Sequence, residues 1–243
     1  MKNKPLILRK QGKWMAGGCT HGDLINEDAF EQFLAFKKTY KPNVMLHLGD
    51  AFELTALRKS ATSEEKEIQF ENDIASGLWA MSEMFKGVED TFFLRGNHCE
   101  RLWSLRDKGS AVNAQLAERH ISEIEDWLGY WGTTMLPYCS HKGIVRINDI
   151  LFMHGYRHGL HAAKDLGKDY HGNIVFVHTH RIEEAYVTGW PDALCVINAG
   201  CLRELLPEFA SRGTSTLSWG HGFAYGEFFA DGSSSMHLEK ISV

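Results

Sequence analysis

The sequence predicts an α/β fold in which two mixed β-sheets stack face to face with helices on their outer sides. In the first half, short apolar runs alternate with helical apolar stripes, which is typical of strand–helix–strand units. From about residue 143 onward the short apolar runs follow one another, with one helical segment, roughly 158–168, among them. We expect one domain over residues 1–243, because no repeat, low-complexity tract or Pro/Ser-rich linker divides the chain.

The first strand is expected at Trp14–Cys19, and it leads into the loop Thr20-His21-Gly22-Asp23. Asn26 then provides an N-cap for a helix whose first turn carries two acidic residues. Before this strand the chain is basic, with Lys2, Lys4, Arg9, Lys10 and Lys13, and we expect a solvated tail there.

The second strand is expected at Val44–Leu48, where a mostly apolar run stops at Gly49-Asp50. Thr62 and Glu65 form a capping-box pattern at the start of a long helix. Its apolar positions include Ile68, Ile74, Leu78, Met81 and Phe85. The third strand, Thr91–Arg95, ends at Gly96-Asn97-His98-Cys99-Glu100, and we expect a helical insertion over about 100–131 that covers this end.

The second half is expected to be rich in β-strands. Its apolar runs are Ile144–Ile147, Ile150–Met153, Ile174–Val177, Leu194–Ile197 and Phe223–Phe229.

Composition excludes several classes of protein. The hydrophobic content of 44%, the charged content of 23% and the net charge of −5 are ordinary for a globular protein and argue against a broad footprint for duplex nucleic acid. No apolar run reaches transmembrane length, so no membrane partner is expected. The five cysteines have irregular spacing and indicate neither a disulfide framework nor a zinc finger, so a reducing cytoplasm is the expected location.

Candidate metal ligands follow five of the predicted strands. The ends of strands meet at one edge of a sheet, and ligands usually bind there. These stretches are Cys19-Thr20-His21, Asp50 with Glu53, Asn97-His98, His154-Gly155 and His178-Thr179-His180. Alternation along an extended chain puts His178 and His180 on the same side. Mixed oxygen and nitrogen donors favour Mn²⁺, Fe²⁺/Fe³⁺ or Zn²⁺ over Ca²⁺.

This ordered set resembles the calcineurin-like metallophosphoesterase family, whose pattern is Asp-x-His, Gly-Asp-x-x-Asp, Gly-Asn-His-Asp/Glu, His and Gly-His-x-His. Here the pattern reads Cys19-x-His21, Gly49-Asp50-x-x-Glu53, Gly96-Asn97-His98-Cys99, His154 and Val177-His178-x-His180. The match runs from about residue 14 to 200, and the layout is most similar to the stand-alone members of bacteriophages and bacteria. The resemblance implies a four-layer αββα sandwich.

The resemblance also implies two metal ions bridged by Asp50 and a metal-bridging hydroxide that attacks phosphorus. By the same resemblance, Cys19, His21 and His180 complete one metal site, and Asn97, His154 and His178 complete the other. His98 is implied to stabilise the transition state or to protonate the leaving oxygen. Arg101 and Arg181 flank ligand motifs and are candidates for binding the phosphate oxygens, although an ordinary surface arginine explains each equally well.

The chain departs from the family pattern at three positions. Cys19 replaces a ligating aspartate: it is either a soft ligand that favours zinc or iron, or a buried thiol beside a weak first site that Asp23 could supplement. Cys99 replaces the acidic residue expected to orient His98, so that Glu100 becomes a candidate substitute. Val177 replaces a glycine and is expected to narrow the site.

The resulting hypothesis is a metal-dependent phosphoric ester hydrolase. A phosphodiester, including a nucleotide or single-stranded nucleic acid, is favoured over a phosphomonoester. The alternative is a binding module that keeps the fold but has weak or no catalysis because of Cys19 and Cys99. The natural substrate, the metal identity and the oligomeric state are left open by the sequence.

Overall fold

The computed structural model describes residues 4–66, 70–188, 193–205 and 215–243, and it confirms two stacked mixed sheets flanked by helices. One six-stranded sheet has the order β12-β11-β2-β3-β4-β5. Its strands are β2 (Gly12–Gly17), β3 (Val44–His47), β4 (Asp90–Leu94), β5 (Thr134–Leu136), β11 (His221–Phe228) and β12 (His237–Ile241). The other has the order β1-β6-β7-β8-β10-β9. Its strands are β1 (Leu6–Leu8), β6 (Ile144–Ile147), β7 (Ile150–Met153), β8 (Asn173–Phe176), β9 (Ile182–Val187) and β10 (Leu194–Ala199).

Two of the helices begin at the caps that the sequence predicts. They are α1 (Glu27–Tyr40), α2 (Ser63–Lys66), α3 (Phe70–Phe85), α4 (Glu100–Lys108), α5 (Ala111–Tyr130) and α6 (Ala162–Tyr170). The Asn26 side chain accepts a hydrogen bond from Ala29 N–H at 2.9 Å, which confirms it as the N-cap of α1. The capping box is also confirmed, since Thr62 and Glu65 exchange side-chain to backbone hydrogen bonds of 2.7 and 3.2 Å. Ile68, assigned by sequence to the helix that follows, lies outside the described residues.

Alternate residues of the central strand β3 pack into two different cores. Val44 and Leu46 face the other sheet and pack with Phe152 and Val175, whereas Met45 packs under the outer helices with Phe93. This two-residue period explains why the strand is apolar throughout: both of its faces are buried.

From residue 4 onward, where the structure describes it, the basic N-terminal segment is not a solvated tail. Leu6–Leu8 form β1, which pairs in parallel with β6 at the edge of its sheet. Lys10 Nζ lies 2.6 Å from an Asp90 carboxylate oxygen, which ties the segment to the start of β4. The sequence-based expectation was wrong because a run of three apolar residues is too short to identify as a strand without knowledge of its partner.

The topology brings the ends of several strands to one rim. Strands β2, β3 and β4 are mutually parallel, so Cys19, Asp50 and Asn97 emerge at the same edge. In the facing sheet, β7 and β8 are also parallel to each other, and they are followed by His154 and His178. No helix among the described residues is long and apolar enough to cross a membrane.

Candidate metal centre

Five candidate ligands have left-handed backbone conformations, which non-glycine residues rarely adopt. The φ angles are 51° for Cys19, 54° for His21, 51° for Asp50, 70° for His178 and 58° for His180. Such strained conformations persist only where the surrounding structure enforces them, and they cluster at functional sites. The backbone itself therefore marks these three loops as a candidate site.

Hydrogen bonds between the first two loops hold their candidate ligands in place. Cys19 N–H donates to the Gly49 carbonyl at 2.8 Å, and His21 N–H donates to the Asp50 carbonyl at 2.9 Å. The loop after β4 also comes close to Asp50, and this approach requires glycine: a Cβ at Gly96 would lie 2.1 Å from Asp50 Oδ1.

One cluster of donor atoms surrounds His154. Its Nδ1 lies 2.9 Å from the Leu48 carbonyl, so Nδ1 carries the proton and Nε2 presents a lone pair. Nε2 lies 3.2 Å from Asp50 Oδ2, 3.0 Å from Asn97 Oδ1 and 3.1 Å from His178 Nδ1. A carboxylate, an amide oxygen and an imidazole lone pair have no proton to share among them, and a cation would satisfy all of them at once.

A second cluster contains Cys19, His21 and His180, whose ligand atoms lie within 4.8 Å of one another. The Nε2 atoms of His21 and His180 are 3.1 Å apart, and His180 Nδ1 is buried without a hydrogen-bond partner. Burial lowers the pKa of His21 to about 4 and also lowers the pKa of His180, so both imidazoles are neutral and can act as ligands.

Asp50 lies between the two clusters. It belongs to one group of ligand atoms with Cys19 and His154 and to another with His21 and His98, and the atoms of each group lie within 4.8 Å of one another. Burial disfavours its charge, but the neighbouring histidines outweigh burial and hold its pKa well below the usual value. Asp50 is therefore a member of two of the groups that could hold a metal ion.

The Glu53 carboxylate contacts three side chains around this centre. One carboxylate oxygen, Oε2, lies 2.5 Å from His21 Nδ1, 3.2 Å from His98 Nδ1 and 3.1 Å from Arg203 Nη1. Sequence reasoning placed Glu53 only among candidate ligands and missed its contact with His98. Glu100, the expected substitute for the acidic residue absent at Cys99, instead lies 3.5 Å from Arg95.

His98 and Arg101 lie at the open side of the centre. His98 N–H donates to Asp50 Oδ1 at 2.8 Å, and Arg101 Nη1 donates to the Glu53 carbonyl at 2.7 Å. Burial tends to lower the pKa of His98, but the carboxylates of Asp50 and Glu53 outweigh burial and raise it. His98 is therefore a potential proton donor.

Two functional candidates were missed by sequence reasoning. Arg203 is buried, pairs with Glu53 and lines the cavity above the donor atoms. His158 is exposed, and its Nδ1 lies 2.7 Å from His178 Nε2, the ring nitrogen that does not face His154. Neither residue belongs to one of the five family motifs, so only their positions in space identify them.

Three predicted features lie away from the centre. Arg181 donates to Gly159 and to Ser218, and it does not line the cavity above the donor atoms. Asp23 is exposed and joins none of the candidate ligand groups. Val177 does not narrow the site as expected, because it is fully buried between the sheets.

A family model described as calcineurin-like phosphoesterase matches residues 17–221, and the chain belongs to this family. A comparison with curated proteins found no match.

Among solved structures, the chain is similar to a single mutant of Vps29 from Entamoeba histolytica, at 11% identity, a TM-score of 0.44 and coverage of 95% of this chain and 99% of that one. It is also similar to Vacuolar Protein Sorting 29 from Cryptosporidium parvum, at 14% identity, a TM-score of 0.43 and coverage of 96% and 100%. A third similar structure is Yfce, a phosphoesterase from E. coli, at 14% identity, a TM-score of 0.41 and coverage of 95% and 100%.

Proposed function

We propose that the protein hydrolyses phosphate esters at a dinuclear metal centre and prefers phosphodiesters to phosphomonoesters. The observation that supports this most is the convergence of the two donor clusters at Asp50, with His98 beside them. Cys19, His21 and His180 would hold one ion, and Asn97, His154 and His178 the other, with Asp50 shared. Such a pair of ions, when bound, lowers the pKa of water and neutralises charge on the phosphoryl oxygens.

The residues outside the ligand set have distinct parts in the proposed reaction. His98, with its raised pKa, donates a proton to the leaving oxygen, and Glu53 orients its imidazole through Nδ1. Arg101 lines the same cavity as His98, and its Nη2 lies 3.5 Å from His98 Nε2. We propose that Arg101 binds a phosphate oxygen there.

The preference for diesters follows from the space around the centre. The cavity above the donor atoms has a volume of about 310 Å³ and is lined by His98, His178 and Trp219, among others. A larger groove of about 820 Å³ shares Asn97 and Arg101 with it, which provides room for a second group on phosphorus.

Hydrolysis of bis-p-nitrophenyl phosphate and p-nitrophenyl phosphate tests the proposal, with protein stripped of metal and reloaded with Mn²⁺, Fe²⁺ or Zn²⁺. We expect a higher kcat/KM for the diester. We expect His98→Ala to lower kcat by about 10²–10⁴-fold, the usual contribution of general acid catalysis, without loss of bound metal. A higher kcat/KM for the monoester would overturn the substrate preference.

A binding module without turnover is the second candidate, and the state of Cys19 favours it. Burial and the nearby Asp50 raise the pKa of this thiol well above its usual value, so without metal it remains neutral where the family has a carboxylate. The replacement of an acidic residue by Cys99 was the other argument for a binding module. In our proposal Glu53 supplies the carboxylate that orients His98, so this argument no longer applies. No turnover of either ester with any of the metals across pH 5–9 would favour the binding module.

A further inference from the structure

We infer that a basic groove beside the metal centre binds a second phosphate of the substrate, and that the substrate is a single-stranded oligonucleotide. The basic groove is defined by Arg58, Lys59, Arg101 and Lys108. This inference rests on the proposed phosphodiesterase function and specifies its substrate.

The basic groove is continuous with the cavity above the donor atoms, which we call the catalytic cavity. Its volume is about 820 Å³, and it lies between residues 56–59 on one side and α4 on the other. Arg58, Asn97 and Arg101 line both spaces, so a chain whose phosphate lies at the metal centre can continue into the groove without leaving the surface.

The charge of the basic groove favours an anion beyond the scissile phosphate. Its lining contains four cationic side chains and a single carboxylate, Glu100, which lies 3.5 Å from Arg95. Within the described part of the chain, Lys59 and Lys108 have no ion-pair partner, and both are exposed. A cluster of this kind stands out in a protein with a net charge of −5.

Arg58 provides a second observation. One of its guanidinium nitrogens, Nη2, bonds to Glu65 at 2.5 Å, whereas Nε is buried and has no hydrogen-bond partner. A buried donor without a partner is costly, and a turn of the guanidinium group would present it to an oxygen of a bound phosphate. Arg58 lines both spaces, so this phosphate would lie where the catalytic cavity meets the groove.

Helix electrostatics explain only part of the cluster. Lys108 lies in the last turn of α4, where a cation is favourable without any ligand. Lys59 and Arg58 follow a different element, the 3₁₀ turn Thr55–Leu57, and gain nothing from that helix end. The helix end therefore does not account for the position of Arg58 and Lys59 in the same groove as Lys108, whereas binding of an anionic ligand does.

The remaining lining suits a nucleotide chain. Tyr138 lines the groove next to the centre, and its ring contacts the His154 ring at a centroid distance of 5.7 Å. An aromatic ring beside a row of cations is the usual arrangement for single strands, whose bases stack while their phosphates follow the basic residues.

The test compares three substrates that differ in the number of phosphates: bis-p-nitrophenyl phosphate, the thymidine dinucleotide with one phosphate and the trinucleotide with two. The double variant Lys59→Gln/Lys108→Gln changes the groove and leaves the metal ligands intact. Lys38→Gln/Lys86→Gln, which removes two exposed lysines from a distant surface, is the matched control.

We expect the groove variant to lower kcat/KM for the trinucleotide by about tenfold and to leave the other two substrates within about twofold. We also expect a shallower salt dependence for the trinucleotide, by about 0.7 in log–log slope for each phosphate that the groove no longer neutralises. The control variant should behave as wild type.

Equal losses on all three substrates, or no loss on the trinucleotide, would overturn the inference while leaving the phosphodiesterase proposal in place. A wild-type preference for a nucleoside triphosphate over the trinucleotide would also overturn it. Absence of bis-p-nitrophenyl phosphate cleavage by wild type is a different result, because it contradicts the proposed function itself.

Discussion

Glu53 and His98 form a carboxylate–imidazole pair, with Oε2 of Glu53 3.2 Å from Nδ1 of His98. The same oxygen lies 2.5 Å from Nδ1 of His21, a candidate metal ligand. One buried carboxylate therefore contacts both a candidate metal-binding imidazole and the proposed proton donor. Burial opposes ionisation of Glu53, but His21 and His98 outweigh burial and keep its pKa below the usual value.

The first prediction concerns this pair. Glu53→Gln removes the charge that supports both imidazoles, and we expect kcat/KM for a diester to fall by about 10–100-fold, as for other residues that orient metal ligands. The pKa of the alkaline limb of the pH–rate profile should fall as well, because a proton donor acts only while it is protonated and His98 loses an anionic partner.

Glu100→Gln is the matched control for this change. Glu100 pairs with Arg95 rather than with His98, so we expect its pH–rate profile to match wild type. An altered profile in Glu100→Gln, together with a normal one in Glu53→Gln, would contradict the assignment of Glu53.

The second prediction concerns His158, whose Nδ1 lies 2.7 Å from His178 Nε2. Removing this partner should let the His178 ring rotate, and we expect His158→Ala to weaken metal binding by about 10–100-fold. His158→Gln, which retains an acceptor, should recover part of the loss. His161→Ala, another exposed histidine three residues away, should have no effect in the same metal titration.

Local sequence was sufficient to predict the positions of Asp50, Asn97, His154 and His178 at one rim. Each follows a short apolar run, and parallel strands deliver their carboxyl ends to one edge. The period of apolar residues and the Asn26 cap were enough to predict the first helix as well.

The contacts made by Arg203 and Glu53 could not be predicted in this way. These two residues are separated by 150 positions, and nothing local to either shows that they meet. Strand β1 was missed for a related reason, since its three residues are stabilised by pairing with β6 rather than by their own pattern.

The third prediction concerns two glycines with different surroundings. A Cβ at Gly96 would lie 2.1 Å from Asp50 Oδ1, whereas a Cβ at Gly129 in α5 has nothing within 4 Å. We expect Gly96→Ala to lower the free energy of unfolding by about 1–3 kcal/mol, a typical cost of overpacking, and to weaken metal binding. Gly129→Ala should leave metal binding unchanged and change stability by at most about 1 kcal/mol, in the stabilising direction. Urea unfolding measures both; similar losses in the two variants would contradict this interpretation of the Gly96 contact.

The fourth prediction concerns Asp73 on α3, which accepts hydrogen bonds from the backbone N–H groups of Glu53 and Leu54. Burial raises the pKa of Asp73 to about 7 from an ordinary value of 3.8. The folded chain therefore retains a proton that the unfolded chain releases between these pH values. Asp73 thus contributes stability that is fully present below about pH 4 and is lost as pH rises towards 7.

Urea unfolding of wild type and Asp73→Asn across pH 4–8 measures this contribution. We expect the stability of wild type relative to the variant to fall with rising pH, by at most about 1.4 kcal/mol per pH unit. Glu71→Gln, which removes an exposed carboxyl from the same helix, should show no such slope. A pH-independent difference for Asp73→Asn would show that Asp73 ionises normally.

The fifth prediction concerns Cys19, whose sulfur lies among the candidate ligands of the first metal site and accepts a hydrogen bond from His178 N–H at 3.4 Å. As a thiolate ligand it would favour zinc or iron, because sulfur is softer than a carboxylate oxygen. We therefore expect elemental analysis to show less bound metal in Cys19→Ser than in wild type, and a shift towards Mn²⁺ in Cys19→Asp. Cys195→Ser, at a half-buried cysteine on the outer strand pair β9–β10, should keep the wild-type metal content. Unchanged occupancy in Cys19→Ser would exclude Cys19 as a required ligand and leave His21, His180 and Asp50 to hold the first ion.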